Sequence, residues 1–150
     1  MIIERASPQS EEAKQLMREM WVYLDALYGN SATTPYELAG MDPPSAAFVI
    51  AREAGVAIGC AALRPMSPEI AEVKRMYVRP EMRRMGVARQ LLLTLEQAAK
   101  DGGFREIWLE TGEPQVAAIQ LYEKLGYTTI PPYGEYKDEP DTVCYAKRLA

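Results

Sequence analysis

Four arginines, Arg79, Arg83, Arg84 and Arg89, crowd one short stretch of a chain that is acidic overall, with 17 Lys and Arg against 21 Asp and Glu and a formal net charge of −4. Within that stretch, Arg83-Arg84-Met85-Gly86-Val87-Ala88 has an ordered pattern: Arg or Gln, two free positions, Gly, one free position, then Gly or Ala. The residues before it, Glu72 to Val78, read as a strand. The residues from Gly86 on, through Leu91, Leu92, Leu95, Ala98 and Ala99 to Gly102-Gly103, read as a helix. The first four N–H groups of a helix have no partner within it, and the macrodipole adds roughly +0.5 charge there. A strand that turns into such a helix offers donors and positive potential to an anion, most often a phosphate. Gly86 has no Cβ to keep a ligand off the backbone, and Ala88 is the next smallest choice. A helix start with a solvated charge run is the plainer alternative. The flanking strand and the arginine cluster favour the anion site.

The rest of the composition narrows the chemistry. The chain has no histidine, which removes Ser-His and Cys-His catalysis and most zinc sites; no metal is expected. Proton transfer is left to Glu, Asp, Tyr, Lys, Cys, water or backbone. Cys60 and Cys144 form neither a C-x-x-C nor a metal spacing and read as buried free thiols of a reducing compartment. The acidic balance argues against nucleic acid as a partner. No signal pattern or 18-residue apolar run is present, so no membrane partner and a cytoplasmic location are expected.

The elements that must position these residues follow in order. At 150 residues, 48% apolar and 25% charged, the chain reads as a single domain, 1–150. Ile2–Arg5 is a short strand. A helix opens at Ser7 or Ser10 and carries Ala13, Leu16, Met17, Met20, Trp21, Leu24, Leu27 and Tyr28 on one face. A short helix near residues 35–39 and a proline loop at residues 41–44 follow. Ala47–Arg52 and Val56–Leu63 form a hairpin across Glu53-Ala54-Gly55, and Arg64–Pro68 is a turn. Strict alternation along Glu72–Val78 puts Glu72, Lys74, Met76 and Val78 on one face and Val73, Arg75 and Tyr77 on the other. Ile107–Thr111 is a strand, 115–125 a helix with Gly126 just past its end, 127–130 a strand, and Val143–Leu149 a last strand. Between the last two lies an acidic, proline-rich loop with Tyr133, Glu135, Tyr136, Asp138, Glu139 and Asp141. Such a loop suits a cationic amine through charge and aromatic contacts, or is simply solvated.

The strand, basic loop and helix of residues 72–111 resemble the acyl-CoA-binding core of the GCN5-related N-acetyltransferase (GNAT) superfamily. Ala118-Ile119-Gln120-Leu121-Tyr122-Glu123-Lys124-Leu125-Gly126-Tyr127 resembles the same family's helix-to-strand segment, Ala, two free positions, Leu-Tyr, a free position, Lys, a free position, Gly and an aromatic. The match runs from about Val49 to Leu149, and Ile2–Tyr28 fits the family's opening strand and helix. The resemblance implies an α/β (mixed α+β) fold: a mostly antiparallel central sheet of six to seven strands flanked by about four helices. It also implies transfer of an acetyl group from acetyl-CoA to a primary amine in a ternary complex. A small-molecule amine is the expected acceptor. A peptide or protein acceptor, or a non-catalytic acyl-CoA-binding module, is the alternative, and a homodimer is compatible with the chain.

Residue by residue, the resemblance implies that the backbone of Met76, Tyr77 and Val78 pairs with the pantetheine arm as an added strand. Arg83, Arg84, Met85, Gly86, Val87, Ala88 and Arg89 would surround the pyrophosphate. Gln115 stands where the family often carries Asn, seven residues before Tyr122, and so keeps an amide of different reach. Glu72, eleven positions before Arg83, matches the position of the catalytic glutamate of histone-acetylating members; a carboxylate paired to Lys74 or Arg75 at a sheet edge is the alternative. Tyr122 matches the tyrosine that protonates the leaving thiolate, with a core tyrosine as alternative. Tyr28, Tyr36, Tyr133 and Tyr136 are candidate acceptor-site residues, and Trp21 is read chiefly as core.

Overall fold

A computed structural model describes residues 1–27 and 47–149, apart from the side chain of Glu135. The expected short helix near 35–39, the loop at 41–44, and Tyr28 and Tyr36 lie outside the described residues. Seven strands, β1 (Ile2–Arg5), β2 (Ala47–Glu53), β3 (Val56–Pro65), β4 (Ile70–Val78), β5 (Glu106–Gly112), β6 (Thr128–Ile130) and β7 (Thr142–Arg148), form one sheet in the order β1-β2-β3-β4-β5-β7-β6. Every pairing is antiparallel except β4 with β5. Three α-helices are described, α1 (Glu11–Leu27), α2 (Val87–Asp101) and α3 (Val116–Lys124), together with 3-10 turns at Pro80–Met82 and Gly134–Tyr136. The mixed α/β fold with a mostly antiparallel seven-stranded sheet agrees with expectation.

The sheet separates two cores. On one face Leu16, Met17 and Met20 of α1 pack on Phe48, Ile50, Cys60, Ala62 and Tyr77. On the other, Leu91, Leu92, Leu95 and Ala99 of α2 and Tyr122 of α3 pack on Val49, Ala61, Leu63, Val73, Val78, Ile107 and Leu109. Truncating a fully buried leucine of this kind costs about 2–5 kcal/mol. Trp21 stands outside both clusters, half-buried, and its indole N–H has no hydrogen-bond partner among the described residues.

Local chemistry fixes the ends of the elements. The Ser10 Oγ accepts from the Ala13 N–H at 3.2 Å, capping α1. At the end of α2 the Phe104 N–H donates to the Ala99 carbonyl, with Gly103 at φ +84°. At the end of α3 the Tyr127 N–H donates to the Tyr122 carbonyl, with Gly126 at φ +92°. Both ends need the left-handed conformation that glycine adopts without penalty. The second one delivers Tyr127, whose hydroxyl donates to Glu96 of α2 at 2.8 Å, while Lys147 Nζ lies 3.0 Å from the same carboxylate. A buried acid is costly without such partners, so this network ties α2, α3 and β7 together.

β4 leaves β5 early. The parallel pairing covers only Ile70–Val73 against Glu106–Leu109. The β4–β5 register ends at Val73 and Leu109, while β5 goes on pairing with β7 as far as Gly112. The two parallel strands thus diverge at their C-terminal ends, and α2 and α3 both start from the segments that follow. Ligands of α/β sheets bind at such divergences.

Candidate active site

The divergence begins at a bulge in β4. Cys60 pairs with Tyr77 and Ala62 with Lys74, so Ala61 faces two residues, Arg75 and Met76. Arg75 takes φ +60°, and its carbonyl accepts from Cys60 Sγ at 3.4 Å. The extra residue breaks the alternation expected from sequence. Val73 shares the α2 face with Val78 and the half-buried Met76, whereas Tyr77 is buried on the α1 face. Val73 and Tyr77 therefore do not share a face, nor do Glu72 and Val78. Strand β3 comes very close here: a Cβ on Gly59 would stand 2.8 Å from the Tyr77 carbonyl and 3.4 Å from both Leu91 and Val78. Only glycine fits that approach.

The basic loop follows. Arg79 pairs with Glu19 of α1 through two contacts, 2.9 and 3.0 Å. Arg83 turns back, donating from Nε to the Val78 carbonyl at 2.9 Å with its guanidinium 4.4 Å from the centre of the Tyr23 ring. The Arg83 side chain braces the loop against α1, which leaves its backbone for any ligand. Arg84 at φ +66° and Gly86 at φ +79° are both left-handed. For a residue with a Cβ this conformation costs about 1–2 kcal/mol, so the loop shape is held against a local penalty. Gly86 is the N-cap of α2 and makes no side-chain cap, and a Cβ built on it would meet nothing within 4 Å. The helix start is thus uncapped and faces open space. The phosphate cradle expected of Arg83, Arg84, Met85, Gly86, Val87, Ala88 and Arg89 falls on this loop and helix start. The side chains of Val87 and Tyr77 are buried, so what these two can offer a ligand is backbone. Gln115 is the N-cap of α3.

Glu72 lies at the apex of the divergence, registered against Trp108 one position before the last β4–β5 pair. It is 2% exposed, on the α1 face. The edge position in the alternative reading is therefore corrected, since Glu72 is on a central strand, while the expected pairing to Lys74 is present at 3.9 Å. The Tyr133 hydroxyl donates to Oε2 at 2.6 Å. Burial and this bond push the Tyr133 phenol well above its ordinary pKa. Arg64 Nε lies 3.1 Å from Oε1 and Lys74 Nζ 3.9 Å. The short Arg64 contact is an ion pair without hydrogen-bond alignment, because both Arg64 Nε and Glu72 Oε1 are buried with no hydrogen-bond partner among the described residues. Lys74 Nζ donates to the Tyr136 hydroxyl at 3.1 Å, and the Tyr133 ring packs edge-on against Trp108 and Tyr136, 5.1 and 5.3 Å between centroids. Asp138, Glu139 and Asp141 of the same loop face solvent. Tyr133 and Tyr136 are thus brought to Glu72, and these acids are not.

Tyr122 is buried on the opposite face of the sheet from Glu72, its ring 5.9 Å from Tyr127 and 6.0 Å from Tyr145. Burial, with a contribution from Glu110, pushes its phenol well above the ordinary value. The sequence reading missed Arg64 and Trp108. Arg64 stood in an expected turn, but β3 extends to Pro65 and places it directly opposite Glu72. A lone cation ending an apolar strand was the available signal. Among the described residues no cluster of His, Cys, Asp and Glu could hold a metal ion.

Comparison with known proteins agrees with this geometry. The acetyltransferase (GNAT) family profile matches residues 11–127. An IAA acetyltransferase of Azospirillum brasilense is 34% identical over 148 residues, covering 98% of this chain and 97% of that protein. The uncharacterized N-acetyltransferase YsnE of Bacillus subtilis is 32% identical over 111 residues, 71% of this chain and 72% of that one. A Klebsiella pneumoniae protein provisionally described as an acyl-CoA N-acyltransferase superposes with a TM-score of 0.82 at 29% identity, over 99% of this chain and 97% of its own. A GNAT acetyltransferase from Elizabethkingia anophelis, solved with acetyl-CoA bound, shares the fold at a TM-score of 0.69 and 18% identity, over 99% and 97%. The chain belongs to the acetyltransferase (GNAT) family and is an acyltransferase.

Proposed function

We propose that this acyltransferase moves an acetyl group from acetyl-CoA to the primary amine of a small molecule, directly, with both bound at the β4–β5 divergence. The observation that carries the reading is Glu72: a buried carboxylate at the apex of that opening, with Oε2 bonded to Tyr133 and Oε1 without a hydrogen bond among the described residues. The bound acetyl-CoA of the Elizabethkingia fold neighbour supports the choice of donor. Bound here, acetyl-CoA would supply the acetyl group as a thioester, an acyl donor that needs no further activation.

The residues have distinct tasks. Backbone groups of Met76–Val78, beyond the last pair of β4 with β5, hold the extended pantetheine arm. The first N–H groups of α2, with Arg84 and Arg89, hold the pyrophosphate. An alkyl ammonium with a pKa near 10.4 leaves roughly one molecule in a few thousand unprotonated at neutral pH. Glu72 Oε1 takes the surplus proton, directly or through a water. Such assistance is worth about 10²–10⁴-fold, and alignment of two reactants can be worth more. Tyr122, which approaches from the other face of the sheet, is the residue proposed to meet the departing sulfur. Its raised pKa keeps it a neutral phenol. A phenol is a weaker acid than an alkyl thiol of pKa about 8.5, so Tyr122 steadies the departing sulfur by hydrogen bonding more than by giving up its proton.

The test is the thermal midpoint with and without acetyl-CoA, followed by thiol release on adding amines. Ligand at 100 times its Kd adds about 2.7 kcal/mol, a rise of about 5–10 °C for this size. No rise at millimolar acetyl-CoA overturns the reading. A rise without thiol release for any amine leaves a binding module.

A further inference from the structure

Cations stand close to Glu72. Arg64 Nε and Lys74 Nζ lie 3.1 and 3.9 Å from its Oε1, in a chain whose net charge is −4. The Arg64–Glu72 pair is also incomplete. Arg64 Nε and Glu72 Oε1 are 3.1 Å apart, yet neither makes a hydrogen bond among the described residues, and both are buried. Paired orphans of this kind are uncommon in folded proteins and call for an explanation. Nε is buried, yet the Arg64 side chain as a whole is 39% exposed, so part of it is within reach of solvent or a ligand. Beside the pair stand Trp108, Tyr133 and Tyr136, edge to face, with Lys74 holding the Tyr136 hydroxyl.

A carboxylate next to a guanidinium is the mirror image of a zwitterion. We infer that the acceptor is a small amino acid, an amine one or two carbons from a carboxylate. Its amine is received by Glu72 Oε1, its carboxylate by the outer edge of Arg64, and its side chain lies against the three aromatic rings. Charge-assisted bonds to a planar guanidinium give orientation as well as affinity, which would point the amine at the acetyl group. This inference rests on the acetyl-transfer reading above and narrows its substrate class.

The experiment compares kcat/KM for thiol release with a panel of amino acids and the amides of the same amino acids, which keep the amine and side chain and lack the carboxylate. Simple alkylamines are run beside them. Rates are compared per free amine, because amidation lowers the ammonium pKa; on that basis the wild-type protein is expected to prefer the acid over its amide by at least about 10-fold for the best pair, as loss of one charge-assisted contact implies. Arg64→Gln should bring that ratio towards one, Arg64→Lys should keep part of it, and Lys74→Met should lower it less. Because acid and amide use the same Glu72, the ratio cancels any effect of the substitutions on the base. Thermal midpoints confirm that each variant is folded, and Arg64→Lys and Lys74→Met carry the test if Arg64→Gln is not. A wild-type ratio at or below one overturns the amino-acid inference while leaving acetyl transfer standing, as does turnover of alkylamines alone. A preference for the acid that persists in all three variants also overturns it. No thiol release from any amine overturns both.

Discussion

The two halves of the candidate site are built from different material. The half proposed to face the acyl donor is backbone: the bulge at Arg75, the stretch of β4 beyond its last pair with β5, the left-handed Arg84 and Gly86, and the uncapped start of α2. The half around Glu72 is side chains drawn from four places, Arg64 on β3, Glu72 and Lys74 on β4, Trp108 on β5, and Tyr133 and Tyr136 from the loop before β7. A backbone cradle tolerates changes of side chain as long as the path of the chain is kept. A side-chain cluster tolerates changes of path as long as the groups still meet. The two halves should therefore fail in different ways.

The largest effect is expected where a side chain intrudes on the backbone half. Gly86→Glu puts a Cβ on a left-handed residue and a negative charge in the open space above the helix start. Acetyl-CoA affinity should fall by more than about 100-fold, read as loss of the thermal midpoint rise, while the apo protein stays folded because Gly86 touches no core atom within 4 Å of its Cβ position. Retained affinity would refute the cradle. In the side-chain half, Glu72→Gln keeps shape and removes the base. The expected loss is about 10²-fold or more in kcat with acetyl-CoA binding unchanged. Tyr122→Phe, which deletes one hydrogen bond, should cost nearer 10-fold. If Glu72→Gln instead weakens acetyl-CoA binding and spares kcat, Glu72 belongs to the donor side and the contrast is drawn in the wrong place.

Legibility in the sequence divides along the same line. The donor half could be read because it is contiguous: Arg83 to Ala88 between a strand and a helix is local chemistry, and Gly86 and Gly126 announce their left-handed backbone. The succession of strands and helices along the chain also followed from periodicity, whereas their order in the sheet and the division into two cores come from the structure. The bulge could not be read, because nothing in Glu72–Val78 itself shows that Ala61 will face two residues. That one insertion moved Val73 and Tyr77 to opposite faces. The acceptor half was only partly legible. Tyr133 and Glu72 are 61 positions apart and meet only through the β4–β5–β7 registers. The acidic loop suggested charge attraction for a cation, whereas the structure turns its tyrosines inward and leaves Asp138, Glu139 and Asp141 in solvent.

The smallest effect concerns a side chain that touches the backbone half at the bulge. Cys60 is fully buried, and its thiol donates to the Arg75 carbonyl at the bulge. Burial pushes its pKa from an ordinary 9.0 up to about 12, with Arg75 opposing the rise. Two consequences follow. At pH 8 only about one Cys60 in ten thousand is a thiolate, and the thiolate is the reactive form. An aromatic disulfide reagent should therefore label Cys60 only as fast as β4 opens, and acetyl-CoA paired along Arg75–Val78 should slow that labelling further. The sign with pH is also fixed. A group whose folded pKa is raised favours the fold in its protonated form, so this contribution is whole below pH 9 and is lost as pH climbs towards 12. Tyr122, Tyr127 and Tyr133, raised by burial first, add their losses above pH 10. Cys60→Ala should remove only the part of the alkaline stability loss that begins near pH 9, measured as midpoint against pH, and should loosen the bulge enough to weaken acetyl-CoA by no more than a few-fold. Rapid labelling of Cys60 in the folded protein at pH 8 would mean that the bulge is open at rest. The donor half would then be shaped by its ligand instead of standing ready for it.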